Sequence, residues 1–137
     1  MQDLNSTSFS SLPKILAIDF DGTLVSDNFP NIGELNTKLF KEVKTLQEEF
    51  GVKIILWTSR TLEMLDDAVK FCEDNGLKFD AVNQNIKEVM ELTGQDTRKV
   101  YADLYIDDKA IPAFQDPLYW VNKLGVEVSD FQKRAWL

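Results

Sequence analysis

The chain has 137 residues, 44% of them apolar, enough for one continuous core and one domain of ordinary size. Its 23 acidic against 15 basic residues give a net charge of −8, a field that repels phosphate backbones and anionic lipid rather than gathering them. With no histidine and one cysteine, imidazole catalysis, Ser-His and Cys-His nucleophile pairs and an intramolecular disulfide are excluded, which leaves any chemistry to carboxylates, lysines, hydroxyls or a hard metal.

The opening MQDLNSTSFSSLP lacks the basic start and apolar run of a signal peptide, and no later run reaches membrane-spanning length. We therefore expect a cytoplasmic protein with a flexible segment over 1–13 and a single domain over 14–137. KILAID reads as a buried strand, since Ile15, Leu16, Ala17 and Ile18 follow one another and the turn pair Asp21-Gly22 comes just after. Leu35, Leu39, Val43 and Leu46 recur at helical spacing and stop at Gly51. VKIILWT is a second strand, and a helix from about Thr61 to Asn75 ends at Gly76. On that helix Cys72 falls in register with Leu62, Leu65 and Val69, the pattern of a core residue rather than a reactive thiol. KFDAV is a weaker strand, Ile86, Val89 and Met90 mark a short helix closing near Gly94, and VYADLYI is a fourth strand interrupted by Asp103. A short helix over Leu118 to Leu124 and an extended VEVS complete the pattern.

Strands alternating with helices predict an α/β fold, a Rossmann-like three-layer sandwich whose mainly parallel sheet carries helices on both faces. Ligands in such sheets bind outside the carboxyl ends of the strands, so the polar residues there are the candidates. The first strand ends in Asp19-Phe20-Asp21-Gly22-Thr23, the second in Thr58-Ser59-Arg60 and the fourth in Asp107-Asp108. Four carboxylates converging on one sheet edge raise one another's pKa, and a divalent cation relieves the conflict. Oxygen-only donors favour Mg²⁺, or Mn²⁺ in its place, over Zn²⁺ or copper. An EF-hand beginning at Asp19 fails, because its sixth and twelfth positions hold Leu24 and Pro30.

The DFDGT motif at a strand end, the hydroxyl of ILWTSR, a lysine and the acidic pair of LYIDD, in that order over residues 14 to 111, resemble the signature of the haloacid dehalogenase-like hydrolases. The likeness is greatest to small capless Mg²⁺-dependent phosphatases, since neither Ser26 to Asn36 nor Gly76 to Asn85 has room for an inserted cap domain. The resemblance implies Asp19 as the nucleophile that forms an aspartyl-phosphate and Asp21 as general acid and then base. It implies Mg²⁺ on the Asp19 carboxylate, the Asp21 backbone carbonyl and the acidic pair, with Asp107 as direct ligand and Asp108 acting through water or by orienting the others. Thr58 and Ser59, with a neighbouring backbone N–H, would hold the phosphoryl oxygens, and a lysine, Lys99 or alternatively Lys87, would neutralise their charge. An acid at position 21 fits the phosphatases and mutases of that superfamily rather than its dehalogenases.

The implied partner is a small phosphorylated substrate, with no nucleic acid and no membrane. Several residues have plainer readings: a turn for Asp107-Asp108, a helix cap for Thr58 and Ser59, a surface position for either lysine, and core or edge packing for Trp57, Trp120 and Trp136. Arg60 is either a salt-bridge partner or a substrate contact, and Asp27 to Glu34 either a flap over the site or a connection. A phosphorelay receiver-like module also uses strand-end carboxylates, but it orders them differently, and a non-catalytic binding protein on the same fold is the other rival.

Overall fold

The computed structural model describes residues 8–111, so the expected helix at 118–124 and the final extended segment lie outside the described residues. Four strands form an all-parallel sheet: β1 (Ile15–Ile18), β2 (Lys53–Leu56), β3 (Ala81–Val82) and β4 (Leu104–Ile106). Three helices alternate with them, α1 (Thr37–Phe50), α2 (Leu62–Asp74) and α3 (Lys87–Thr93). All of β1 is buried, as its uninterrupted apolar run requires of a strand covered on both faces.

Successive residues of β1 and β2 enter different cores, because side chains alternate across a sheet. Leu16, Ile18, Ile54 and Leu56 join Phe40 and Val43 of α1 and Ala68 and Cys72 of α2. Ile15, Ala17 and Ile55 join Val89 of α3 together with Ile86 and Val100. Cys72 is fully buried and its thiol is pushed up to about 12, mainly by burial and then by Glu73, which keeps it an inert core residue. Leu62 departs from the expected core register: it opens α2 with φ +54° and is exposed.

Asn36 caps α1 by accepting the Leu39 N–H at 3.2 Å, and Gly51 ends the helix in the left-handed conformation that only glycine adopts without strain. At the amino edge, Asp80 and Asp103 play matching parts. Each takes the amide of a neighbouring strand on its carboxylate, Ile54 N–H and Ile15 N–H, at 2.8 Å, while its own N–H donates to the carbonyl of that same residue. This is why VYADLYI is polar in its middle and why the strand starts only at Leu104. Ahead of β1, in the segment expected to be flexible, a 3-10 turn at Phe9–Ser11 places the Phe9 ring 4.9 Å from that of Tyr101.

The strand order is β3-β2-β1-β4. The chain moves outward from β1 to β2 to β3 and then returns to the other side of β1, so the order reverses between β1 and β4. A crevice opens at such a point outside the carboxyl ends, and there Asp19 follows β1 while Asp107 and Asp108 follow β4.

Candidate active site

Hydrogen bonds continue just past the strands, from Asp19 N–H to the Ile106 carbonyl at 2.9 Å and from Trp57 N–H to the Ile18 carbonyl at 2.8 Å. They hold the three strand ends side by side. The chain then turns sharply, with Thr23 and Val25 N–H both donating to the Phe20 carbonyl, at 3.1 and 3.2 Å, and with Phe20 and Leu24 fully buried as anchors. Asp19 and Asp21 line a cavity of about 550 Å³, together with Asp27, Phe29, Trp57, Thr58, Ser59, Arg60, Asn83, Asp107, Asp108 and Lys109.

One side of this cavity is a cluster of like charge. Asp19, Asp107 and Asp108 each offer a carboxylate oxygen, and these atoms lie within 4.8 Å of one another. The Asp19 carboxyl is pushed up to about 7, chiefly by burial, partly offset by the Phe20 N–H, and further raised by Asp107 and by its hydrogen bond with Asp108. Asp108 moves the other way: burial opposes ionisation, but hydrogen bonds from Asp19 and Asp107 and the charge of Lys109 hold it below the usual carboxylate range. Asp19 is therefore the carboxyl of the cluster that is hardest to ionise. Gly22, at φ +78°, is packed so closely on Asp108 that a Cβ there would collide with its carboxylate. An all-oxygen donor set and a glycine that lets the third carboxylate approach are of the kind that fits a hard divalent ion.

The other side is internally neutralised. Arg60 Nε and Nη2 donate to the two oxygens of Asp21, each at 2.7 Å, in a bidentate pair. The Arg60 side chain is 1% exposed and that of Asp21 18%. Asp21 is thus absent from the like-charge cluster, and any part it takes in holding a metal falls to its backbone carbonyl. Arg60, which the sequence left between two roles, is a salt-bridge partner in this structure, and it also lines the cavity.

At the end of β2, Thr58 N–H donates to Asn83 Oδ1 at 2.8 Å and Thr58 Oγ1 accepts the Arg60 N–H at 3.1 Å. Thr58 and Ser59 both face the cavity. Asn83 is not among the expected site residues, although it directly follows the expected strand KFDAV; it has φ +53°, a conformation asparagine tolerates better than most residues. Neither Lys99 nor Lys87 lines the cavity. Lys99 Nζ lies 5.4 Å from the centre of the Tyr105 ring, and Lys87, on the surface of α3, lies 3.9 Å from Glu91. The strand start that carries Lys99 is at the opposite edge of the sheet. The lysine that does line the cavity is Lys109, directly after the acidic pair, 3.5 Å from Asp108 and largely exposed.

A solved structure of a conserved protein encoded at a locus of Bacteroides thetaiotaomicron is similar to this chain, with 36% sequence identity over 88% of this chain and 98% of that one, and a TM-score of 0.64. No protein-family model and no curated protein matches the chain. Among the described residues no helix is long and apolar enough to cross a membrane.

Proposed function

The chain belongs to the same family as that Bacteroides protein, and for it we propose a Mg²⁺-dependent phosphohydrolase of the haloacid dehalogenase type that cleaves phosphate monoesters. The main support is Asp19: a strand-end carboxylate facing Asp107 and Asp108 in an open cavity at the reversal of strand order, within the motif DFDGT. Asp19 attacks phosphorus as the ester P–O bond breaks, giving an aspartyl-phosphate, and a proton that Asp21 has taken from solvent passes to the departing oxygen while Arg60 holds the carboxylate left behind. Water then attacks the phosphorus, its proton goes to Asp21, and inorganic phosphate leaves with Asp19 regenerated.

The Asp19 and Asp107 carboxylates and the Asp21 carbonyl would hold Mg²⁺, with Asp108 orienting them. When bound, the ion supplies charge neutralisation for the phosphoryl oxygens and favours ionised Asp19. Thr58 and Ser59 hold those oxygens, and Lys109, rather than Lys99 or Lys87, brings the side-chain cation, because it alone of the three faces the cavity. The net charge of −8 and the open cavity favour a small phosphorylated metabolite as substrate over nucleic acid.

The test is phosphate release from p-nitrophenyl phosphate by the purified chain, with Mg²⁺ and with a chelator. Turnover is expected with Mg²⁺, and Asp19→Asn should lower it about 10³-fold or more. Absence of turnover, or an Asp19→Asn variant as active as the parent, removes the assignment. A slowly decaying phosphoprotein in place of turnover would point to a receiver-like module.

A further inference from the structure

Arg60 carries more contacts than one ion pair needs. Beyond the two bonds to Asp21, Nη1 donates to the carbonyls of Pro30 at 3.2 Å and Met64 at 3.3 Å, and Nη2 donates to that of Asn31 at 2.9 Å. All five guanidinium N–H groups are thereby satisfied. The rings of Phe20 and Phe29 also pack against it, their centres each 5.1 Å from its Cζ. Burying a charge this fully is costly and is tolerated only where every donor is met. Apolar packing would close the same space at less cost, so the position specifies geometry rather than stability alone.

The partners of Arg60 lie on three segments: Asp21 and Phe20 in the strand-end turn, Met64 on α2, and Phe29, Pro30 and Asn31 in the loop over 27–34. Asp21 and Phe29 line the cavity. That loop is closed at its base by Ser26 N–H donating to the Glu34 carbonyl and by Glu34 N–H donating to Ser26 Oγ, both at 2.8 Å. Its tip is fastened through Arg60.

We propose that Arg60 is a positioning residue that clamps the loop tip to the Asp21 carboxylate, so that the loop wall of the cavity and the group serving the leaving oxygen are set as one body. Lysine keeps the charge but not the planar fork, and cannot hold both carboxylate oxygens and three carbonyls at once. The clamp itself stands on geometry alone; its effect on proton delivery rests on the phosphohydrolase assignment.

The experiment compares the wild type with Arg60→Lys in two arms. In the first, amide hydrogen exchange across 27–34 should accelerate about tenfold or more in the variant, with little change in β1 and β2. In the second, kcat/KM is measured for p-nitrophenyl phosphate, whose leaving group departs without help, and for phenyl phosphate, which needs its proton. The variant should lose about 10- to 100-fold on phenyl phosphate and about threefold or less on p-nitrophenyl phosphate. A merely structural role lowers both esters equally, and that result, or unchanged exchange over 27–34, overturns the proposal. Should Arg60→Lys fail to fold, Arg60→Gln, which removes the guanidinium fork and with it the bidentate hold on Asp21, takes both arms with the same direction of outcome. A wild type inert toward both esters defeats the phosphohydrolase assignment instead, and the exchange arm still decides whether the clamp exists.

Discussion

Asp19 and Asp21 are two residues apart in one turn, yet their surroundings are opposite. Asp19 has carboxylates for neighbours and its carboxyl is pushed up to about 7, by burial first and then by Asp107 and Asp108. Asp21 has a guanidinium on both of its oxygens. The first half sets three carboxylates against one largely exposed lysine, Lys109, whereas in the second Arg60 fully pairs the single carboxylate. The difference teaches what each half needs: a cation from solution on the β4 side, and only correct placement on the Arg60 side. On the proposed reading a single divalent ion suffices, since Arg60 already neutralises the carboxylate that would otherwise compete for it.

The largest expected effect follows from the raised Asp19 pKa. A divalent ion bound there competes with protonation of that carboxyl, so affinity is highest at pH above about 7 and falls as pH drops through the folded pKa. Calorimetric titration with Mg²⁺ should show about tenfold weaker binding per pH unit between about 7 and 5, about 100-fold in all. Binding that is flat across this window would place the ion elsewhere and break the contrast between the two aspartates.

Stability should split the pair in sign. Because the folded pKa of Asp19 is raised, the folded chain binds the proton more tightly than the unfolded chain, and its stability falls as pH rises from about 4 to 7. In chelator at pH 8 the ionised Asp19 is a net cost, and Asp19→Asn should stabilise the protein by on the order of 2 kcal/mol even as it abolishes turnover. Asp21→Asn does the reverse: it leaves a buried guanidinium without its countercharge and should destabilise by about 2 kcal/mol. Thermal melts of both variants, side by side in chelator, measure this directly, and shifts of the same sign would show that the two environments are not distinct.

The like-charge half was legible in the sequence and the clamped half was not. Apolar runs in β1 and β2, helix stops at Gly51, Gly76 and Gly94, and the alternation of elements suffice for a parallel sheet, and a parallel sheet brings DFDGT and the IDD of β4 to one edge. Spacing alone does not pair Asp21 with Arg60, 39 positions away; the two meet because they follow adjacent parallel strands, and which side-chain partner each takes there is a matter of tertiary packing. Lys109 was passed over for a similar reason: a lysine beside two aspartates in sequence reads as their surface partner, and only the cavity reveals that it borders the same space as Asp19. Single strand ends are encoded locally, whereas the contacts between loops that join them are not.

Thr23 follows Gly22 in the same strand-end turn, and the smallest expected effect tests to which half of the site it belongs. Its side chain is buried and its hydroxyl finds no hydrogen-bond partner among the described residues, while its carbonyl accepts from Asn36 Nδ2 at 3.3 Å. A buried hydroxyl left unpaired costs free energy, and valine has nearly the same shape without it, so Thr23→Val should raise stability in chelator by about 1 kcal/mol. Repeating the melt with saturating Mg²⁺ makes the comparison sharp. If the gain persists, the hydroxyl is idle in both states and Thr23 belongs to the packed turn around Phe20 and Leu24. If the gain vanishes with Mg²⁺, the hydroxyl finds its partner only when the cation draws Asp19, Asp107 and Asp108 together, and Thr23 belongs to the half of the site that the chain cannot neutralise by itself.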